Sequence, residues 1–124
     1  MVKRGFKELL AEANALIETV SVQDLDFALD DSETLLVDAR ETVERDRDGA
    51  IPGSVHVSRG LLEFQADPDS PIYNTELDPG LRFILYCGTG GRSALAAKTL
   101  LEMGFQNVAS LAGGYAAWKA AKSD

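Results

Sequence analysis

The chain has 124 residues, 45% of them apolar and 26% charged, with a formal net charge of −8. That size allows one domain with a proper core, and the acidic balance argues against a nucleic-acid partner, which needs a basic surface. One cysteine excludes an internal disulfide, and no apolar segment approaches the length of a membrane span.

Met1 to Lys7 is basic but lacks a long apolar core, and Glu8 and Glu12 break up the segment after it. No secretory signal is expected, and the lone reduced thiol makes the cytoplasm the expected compartment. Phe6, Leu9, Leu10, Ala13, Leu16 and Ile17 recur at helical spacing, which predicts an amphipathic helix over Lys3 to Glu18. Val20-Ser21-Val22 reads as a short extended piece, and Ser21 or Asp24 can cap a second helix running through Leu29. Asp30-Asp31-Ser32 is a polar turn. Thr34 to Asp38 is an apolar run ending in a carboxylate, the pattern of a strand buried on both faces. Glu41 to Asp46 predicts one or two helical turns, Gly49 to Gly53 a loop, and Ser54 to Val57 a further strand. Leu61 to Phe64 predicts a short helix, and Asp67 to Gly80, with three prolines, a loop.

Phe83 to Tyr86 predicts a buried strand, followed by a glycine-rich turn and a helix over Ser93 to Met103 that Gly104 ends. Val108-Ala109 is a last short strand, and Gly113-Gly114 opens a terminal helix carrying Tyr115 and Trp118. Strand and helix alternate throughout, which predicts an α/β sandwich with a mainly parallel sheet. In such sheets the functional crevice lies beyond the carboxyl ends of the strands. Cys87 follows one such end and Asp38-Ala39-Arg40 another, so the two can share a rim.

The sole cysteine opens the turn Cys87-Gly88-Thr89-Gly90-Gly91-Arg92-Ser93. Its glycines let the backbone turn sharply and aim several N–H groups at one point, and the following helix directs its positive end there. A free thiol, with a pKa of about 8.5, is only a few per cent thiolate near neutrality. Making thiolate the major form takes a shift of roughly two units, or about 2.7 kcal/mol of preferential anion stabilisation. Backbone donors, the helix terminus and Arg92 together can supply that. The plainer alternative is a small buried hydrophobe, but a core cysteine has no need of this turn.

Between Glu8 and Ala97 every cation is arginine: Arg40, Arg45, Arg47, Arg59, Arg82 and Arg92. Arginine's planar fork suits oxyanions, although codon bias explains the pattern equally well. Arg59 is a candidate for guiding an anion to the rim. Asp38 and Arg40 read as a buried structural pair, and Trp118 and Tyr115 as core anchors of the last helix. His56 sits in a strand pattern, which favours a hydrogen-bonded structural histidine over a general base. The Thr89 hydroxyl either bonds a bound oxyanion or persulfide or merely tolerates the turn. No cluster has metal-ligand spacing, so no metal and no other cofactor is implied.

Three motifs in order resemble the rhodanese family of sulfurtransferases, over nearly the whole chain from about Val20. Leu36 to Glu41, followed by Gly49 to Ser54, resembles its first signature, with Ala50 where that signature often has histidine. Cys87 to Arg92 resembles its six-residue active-site loop, and Leu111 to Gly114 with Trp118 its C-terminal signature. The resemblance implies a three-layer sandwich with a central, mainly parallel five-stranded sheet flanked by helices. It divides the chain into an N-terminal helix packed on the domain, residues 1–19, and a rhodanese-like domain, residues 20–124.

The implied activity moves a sulfane sulfur from thiosulfate or a similar donor to a thiol or cyanide acceptor, through a Cys87 persulfide. Gly88, Thr89, Gly90, Gly91 and Ser93 would cradle the sulfur, and Arg92 would bind the donor's sulfonate. Two other functions stay open: a relay between protein sulfur donors and acceptors in cofactor or tRNA thiolation, and a non-catalytic binding module. Cell-cycle dual-specificity phosphatases share the fold but place five residues between cysteine and arginine. Here four residues separate Cys87 from Arg92, and the loop offers no general acid, which argues against phosphatase chemistry.

Overall fold

A computed structural model describes residues 2–123. Its centre is β4 (Arg82–Tyr86), flanked by β2 (Thr34–Asp38) and β5 (Val108–Leu111). With β1 (Glu18–Val20) and β3 (Val55–His56) at the edges, the sheet order is β1-β5-β4-β2-β3, and every pair is parallel. Side chains alternate across the sheet as strand geometry requires. Phe83 and Leu85 face one side, packing with α1 (Phe6–Leu16), α4 (Leu62–Ala66) and α5 (Gly91–Glu102). Ile84 and Tyr86 face the other, packing with α2 (Val22–Leu29) and α6 (Gly114–Lys122). A short helix, α3 (Thr42–Asp48), follows β2, and a 3-10 turn, Arg59–Leu61, precedes α4. The result is the α/β sandwich that the alternating pattern predicted, in the three-layer, five-stranded form that the family resemblance implied.

Among the boundaries that differ from the sequence reading, four have a clear local reason. The first helix runs from Phe6 to Leu16, because Gly5 takes the N-cap and the chain is already extended at Ile17. The first strand is Glu18–Val20 rather than Val20 to Val22. Parallel pairing with Ala109 to Leu111 fixes it there, and Ser21 ends it by accepting from Asp24 N to cap α2. The same pairing lengthens the last strand through Leu111. Finally, α5 begins at Gly91, so Arg92 lies in its first turn. The proline-rich loop is pinned by fully buried Leu77 and by aspartate turns in which Asp67 and Asp78 accept from Asp69 N and Gly80 N.

Cα register brings Asp38 opposite Tyr86, and Ala39 N donates to the Tyr86 carbonyl at 2.8 Å. Two chain reversals therefore leave the sheet side by side, one after β2 and one after β4. A buried polar cluster fastens them. The Asp38 carboxylate accepts from Arg40 Nε at 3.0 Å and Nη2 at 2.8 Å, from Arg45 Nη1 at 2.9 Å and from the Tyr86 hydroxyl at 3.0 Å. Arg40 also donates to the Gly49 carbonyl at 2.8 Å and lies over the Tyr115 ring, 4.3 Å from its centroid. Burial pushes the Asp38 carboxyl up, but the donors from Arg40 and Tyr86 outweigh it and hold it below the ordinary carboxylate range.

Removing one partner of a buried pair leaves the other charge uncompensated. Asp38→Ala should therefore lower unfolding free energy by about 3–5 kcal/mol, read as a fall in the urea midpoint. In the wild type the lowered carboxyl adds stability above its unfolded pKa of about 4 and loses it as pH falls further.

Candidate active site

Cys87 directly follows β4, and the turn after it is shaped by Gly90, whose φ of 111° favours glycine. That turn carries the chain into α5 with its first amides aimed back at the sulfur. Gly90 N donates to Sγ at 3.1 Å and Ser93 N at 3.4 Å, and the Ser93 hydroxyl lies 3.5 Å away. Ser93 Oγ in turn meets Ser110 Oγ, on β5, at 2.8 Å. Burial pushes the Cys87 thiol up, yet the Ser93 hydroxyl and the amides of Ser93, Gly90 and Thr89 prevail and hold it below its ordinary value. Cys87 is only 1% exposed. It is covered rather than sealed, because it lines an open groove of about 340 Å³.

The loop's carbonyls point the other way. Tyr115 N donates to the Cys87 carbonyl at 2.8 Å and Ala116 N to the Gly88 carbonyl at 3.0 Å. These first-turn amides of α6 have no carbonyl of their own helix to bond. The approach is close enough that a Cβ on Gly114, whose φ is 60°, would lie 2.6 Å from the Cys87 carbonyl oxygen.

Arg92 does not project freely into the groove. Its guanidinium holds Glu44, on α3, in a fork, with Nη1 to Oε1 at 2.6 Å and Nη2 to Oε2 at 2.9 Å. The Arg92 donors, with help from the Glu41 amide, lower the Glu44 carboxyl to about 2. The pair stays charged through the physiological range.

Of the residues singled out in the sequence, Cys87, Thr89, Gly91 and Arg92 line the groove, while Gly90 and Ser93 bond the sulfur. Gly88 supplies the carbonyl that α6 holds. Arg59 faces elsewhere: it donates to Glu63 and to Thr99 Oγ1, seven residues and roughly 10 Å along α5 from Arg92. Asp38 and Arg40 sit buried behind the rim. The His56 imidazole meets the Arg40 carbonyl at 2.7 Å. Trp118 packs on Tyr115, with ring centroids 5.6 Å apart. Sequence reasoning missed Glu44, Ser110 and the contribution of α1, whose Phe6 and Leu10 also line the groove. The first had a faint signal, since Glu41 and Glu44 form a capping box at the start of α3, on the rim after β2.

The family model for the rhodanese-like domain matches residues 21–121. The chain belongs to that family. A sulfurtransferase of Allochromatium vinosum is 30% identical over 104 residues, 83% of this chain and 89% of its own. A Bacillus subtilis protein provisionally named a sulfur carrier is 29% identical over 94% of this chain, which spans only 58% of that relative. Among solved structures, a Rhodopseudomonas palustris protein of unknown function, described as a possible tyrosine phosphatase, superposes with a TM-score of 0.93. It is 42% identical, over 100% of this chain and 96% of its own. The three stretches that resemble the family's signatures hold the Asp38 cluster, the sulfur loop, and the glycine pair that lets α6 reach that loop.

In this rhodanese-like site the thiolate should form at lower pH than that of a free cysteine peptide measured alongside. Alkylation by iodoacetamide, followed against pH, should show a midpoint under that of the peptide. Ser93→Ala should raise it by roughly one unit, the worth of a hydrogen bond to a charged group, and Ser110→Ala by less. Gly114→Ala should cost more than about 2 kcal/mol, since it adds a backbone clash to left-handed strain. Gly53→Ala is the control: its φ is 83°, its Cβ would meet nothing within 4 Å, and the strain alone costs about 1–2 kcal/mol.

Proposed function

We propose that the protein moves a sulfane sulfur from thiosulfate or a similar donor to a thiophilic acceptor through a Cys87 persulfide. The observation that carries this reading is the ring of main-chain amides around a thiol held below its ordinary pKa, at the edge of an open groove. The Cys87 thiolate attacks the outer sulfur of thiosulfate. A new S–S bond forms as the donor's S–S bond breaks, and sulfite leaves with the electron pair. The persulfide's terminal sulfur keeps the negative charge and meets the amides at the start of α5. Arg92 meets the donor's charge only in part, because its guanidinium is already forked on Glu44. An acceptor thiol, or cyanide in a laboratory assay, then attacks that terminal sulfur and frees the Cys87 thiolate.

With one cysteine in the chain, no internal thiol can take the sulfur, so the acceptor is external. The provisional naming of the Bacillus relative as a sulfur carrier supports a second reading, a cytoplasmic relay that exchanges sulfur with partner proteins. A purely non-catalytic binding module has no use for the sulfur-facing amides.

Intact mass after exposure to thiosulfate should show one added sulfur, removed by cyanide with release of thiocyanate. Cys87→Ser should abolish both. A relay protein would load slowly from thiosulfate and quickly from a cysteine desulfurase. If no sulfane donor ever adds sulfur to Cys87, the reading fails; hydrolysis of p-nitrophenyl phosphate by Cys87 would replace it with a phosphatase.

A further inference from the structure

The family match begins at residue 21, yet the groove over Cys87 has a wall from before that point. Helix α1 lies along α5, anchored by buried Ala13 and Ile17 and by the Lys98–Glu12 ion pair at 3.1 Å. From that anchor Leu10 borders the sulfur loop: its two methyl carbons lie 3.8 Å from where a Cβ on Gly91 would stand. Phe6, one turn earlier, borders the same groove and remains 68% exposed. Leu95 of α5 completes an apolar wall.

The charge in the groove is already matched. Arg92 is forked on Glu44, and Lys98, the other cation of α5, pairs with Glu12 and Glu102. Around this the chain carries a net charge of −8. A small dianion such as thiosulfate gains little from such a site and is repelled at long range. A donor with an apolar body and at most one negative charge instead covers the Phe6 ring and the Leu10 and Leu95 side chains.

We infer that α1 makes this site selective for organic hydropersulfides with apolar bodies, R–S–SH, over inorganic thiosulfate. The inference rests on the persulfide reading and names its donor class. The Cys87 thiolate attacks the outer sulfur of R–S–SH, and a new S–S bond forms as the donor's S–S bond breaks. The electron pair leaves on R–S⁻, and the proton stays on the transferred sulfur. No outside oxidant or reductant enters.

The test compares benzyl hydropersulfide with thiosulfate as donors to the full chain, read as the rate of one-sulfur mass gain at Cys87. The ratio of the two kcat/KM values, wild type against Phe6→Ala/Leu10→Ala, cancels the donors' intrinsic reactivities. That ratio should fall about tenfold in the variant, because the benzyl group no longer has an apolar wall to cover. Phe6→Lys, at a site already exposed, should also lower the ratio, by placing a cation where the dianion approaches. A ratio unchanged within about twofold in both variants overturns the inference while leaving the sulfurtransferase reading intact. Failure of both donors to load wild-type Cys87 overturns the two together.

Discussion

The site depends on how one short stretch of backbone shares out its peptide groups. Between Cys87 and Ser93 the amides turn toward Sγ and the first two carbonyls turn toward α6. Neither half is free to do this alone. A tight turn that aims N–H groups inward forces carbonyls outward, and a buried carbonyl without a partner carries a desolvation cost of about 1–3 kcal/mol. The first-turn amides of α6 remove that cost because they lack partners within their own helix. Two helix N-termini thus meet on one loop: α5 offers donors to the sulfur, and α6 offers donors to the peptide oxygens behind it.

That arrangement explains why the C-terminal glycine pair belongs to the site although it touches no substrate. Gly114 is the point of closest approach, where any side chain would strike the Cys87 carbonyl. The buried Asp38 cluster plays a matching part on the other flank. It ties the end of β2 to Arg45 and, through Arg40, to the Gly49 carbonyl, fixing the middle of α3 and its C-terminal end. Helix α3 then delivers Glu44 to Arg92. Each support also has its own hydrogen bonds satisfied, so the loop's shape is set by the frame before any ligand arrives.

The sequence announced the parts of this site that depend on a single segment. The cysteine after an apolar run, the glycines after it, and the alternation of strand and helix all arise from local chemistry and periodicity. So does the buried character of Asp38, whose carboxylate closes a strand of apolar residues. What the sequence concealed depends on pairings between segments far apart in the chain. Glu44 meets Arg92 across 48 positions, and Ser93 meets Ser110 across 17. Arg59 looked available because nothing in the sequence shows Thr99 waiting 40 positions later. The misplaced first strand has the same cause: three residues set between two helices become a strand only because β5 pairs with them.

The helix outside the matched family span carries this logic furthest. Its apolar periodicity was visible as a stripe, and a stripe reads as core. Only part of it is core: Ala13 and Ile17 are buried and Leu16 is exposed, while Leu10 borders both core and groove and Phe6 stands open at the groove. An amphipathic helix that buries its whole apolar face would gain more stability than one leaving a phenylalanine in water. With Phe6 beside the groove, part of that unburied apolar surface stands where an incoming molecule can cover it. The thiol is itself nearly covered by protein, and a molecule that reaches it through the groove meets that wall, so the wall's character bears on which sulfur compounds arrive.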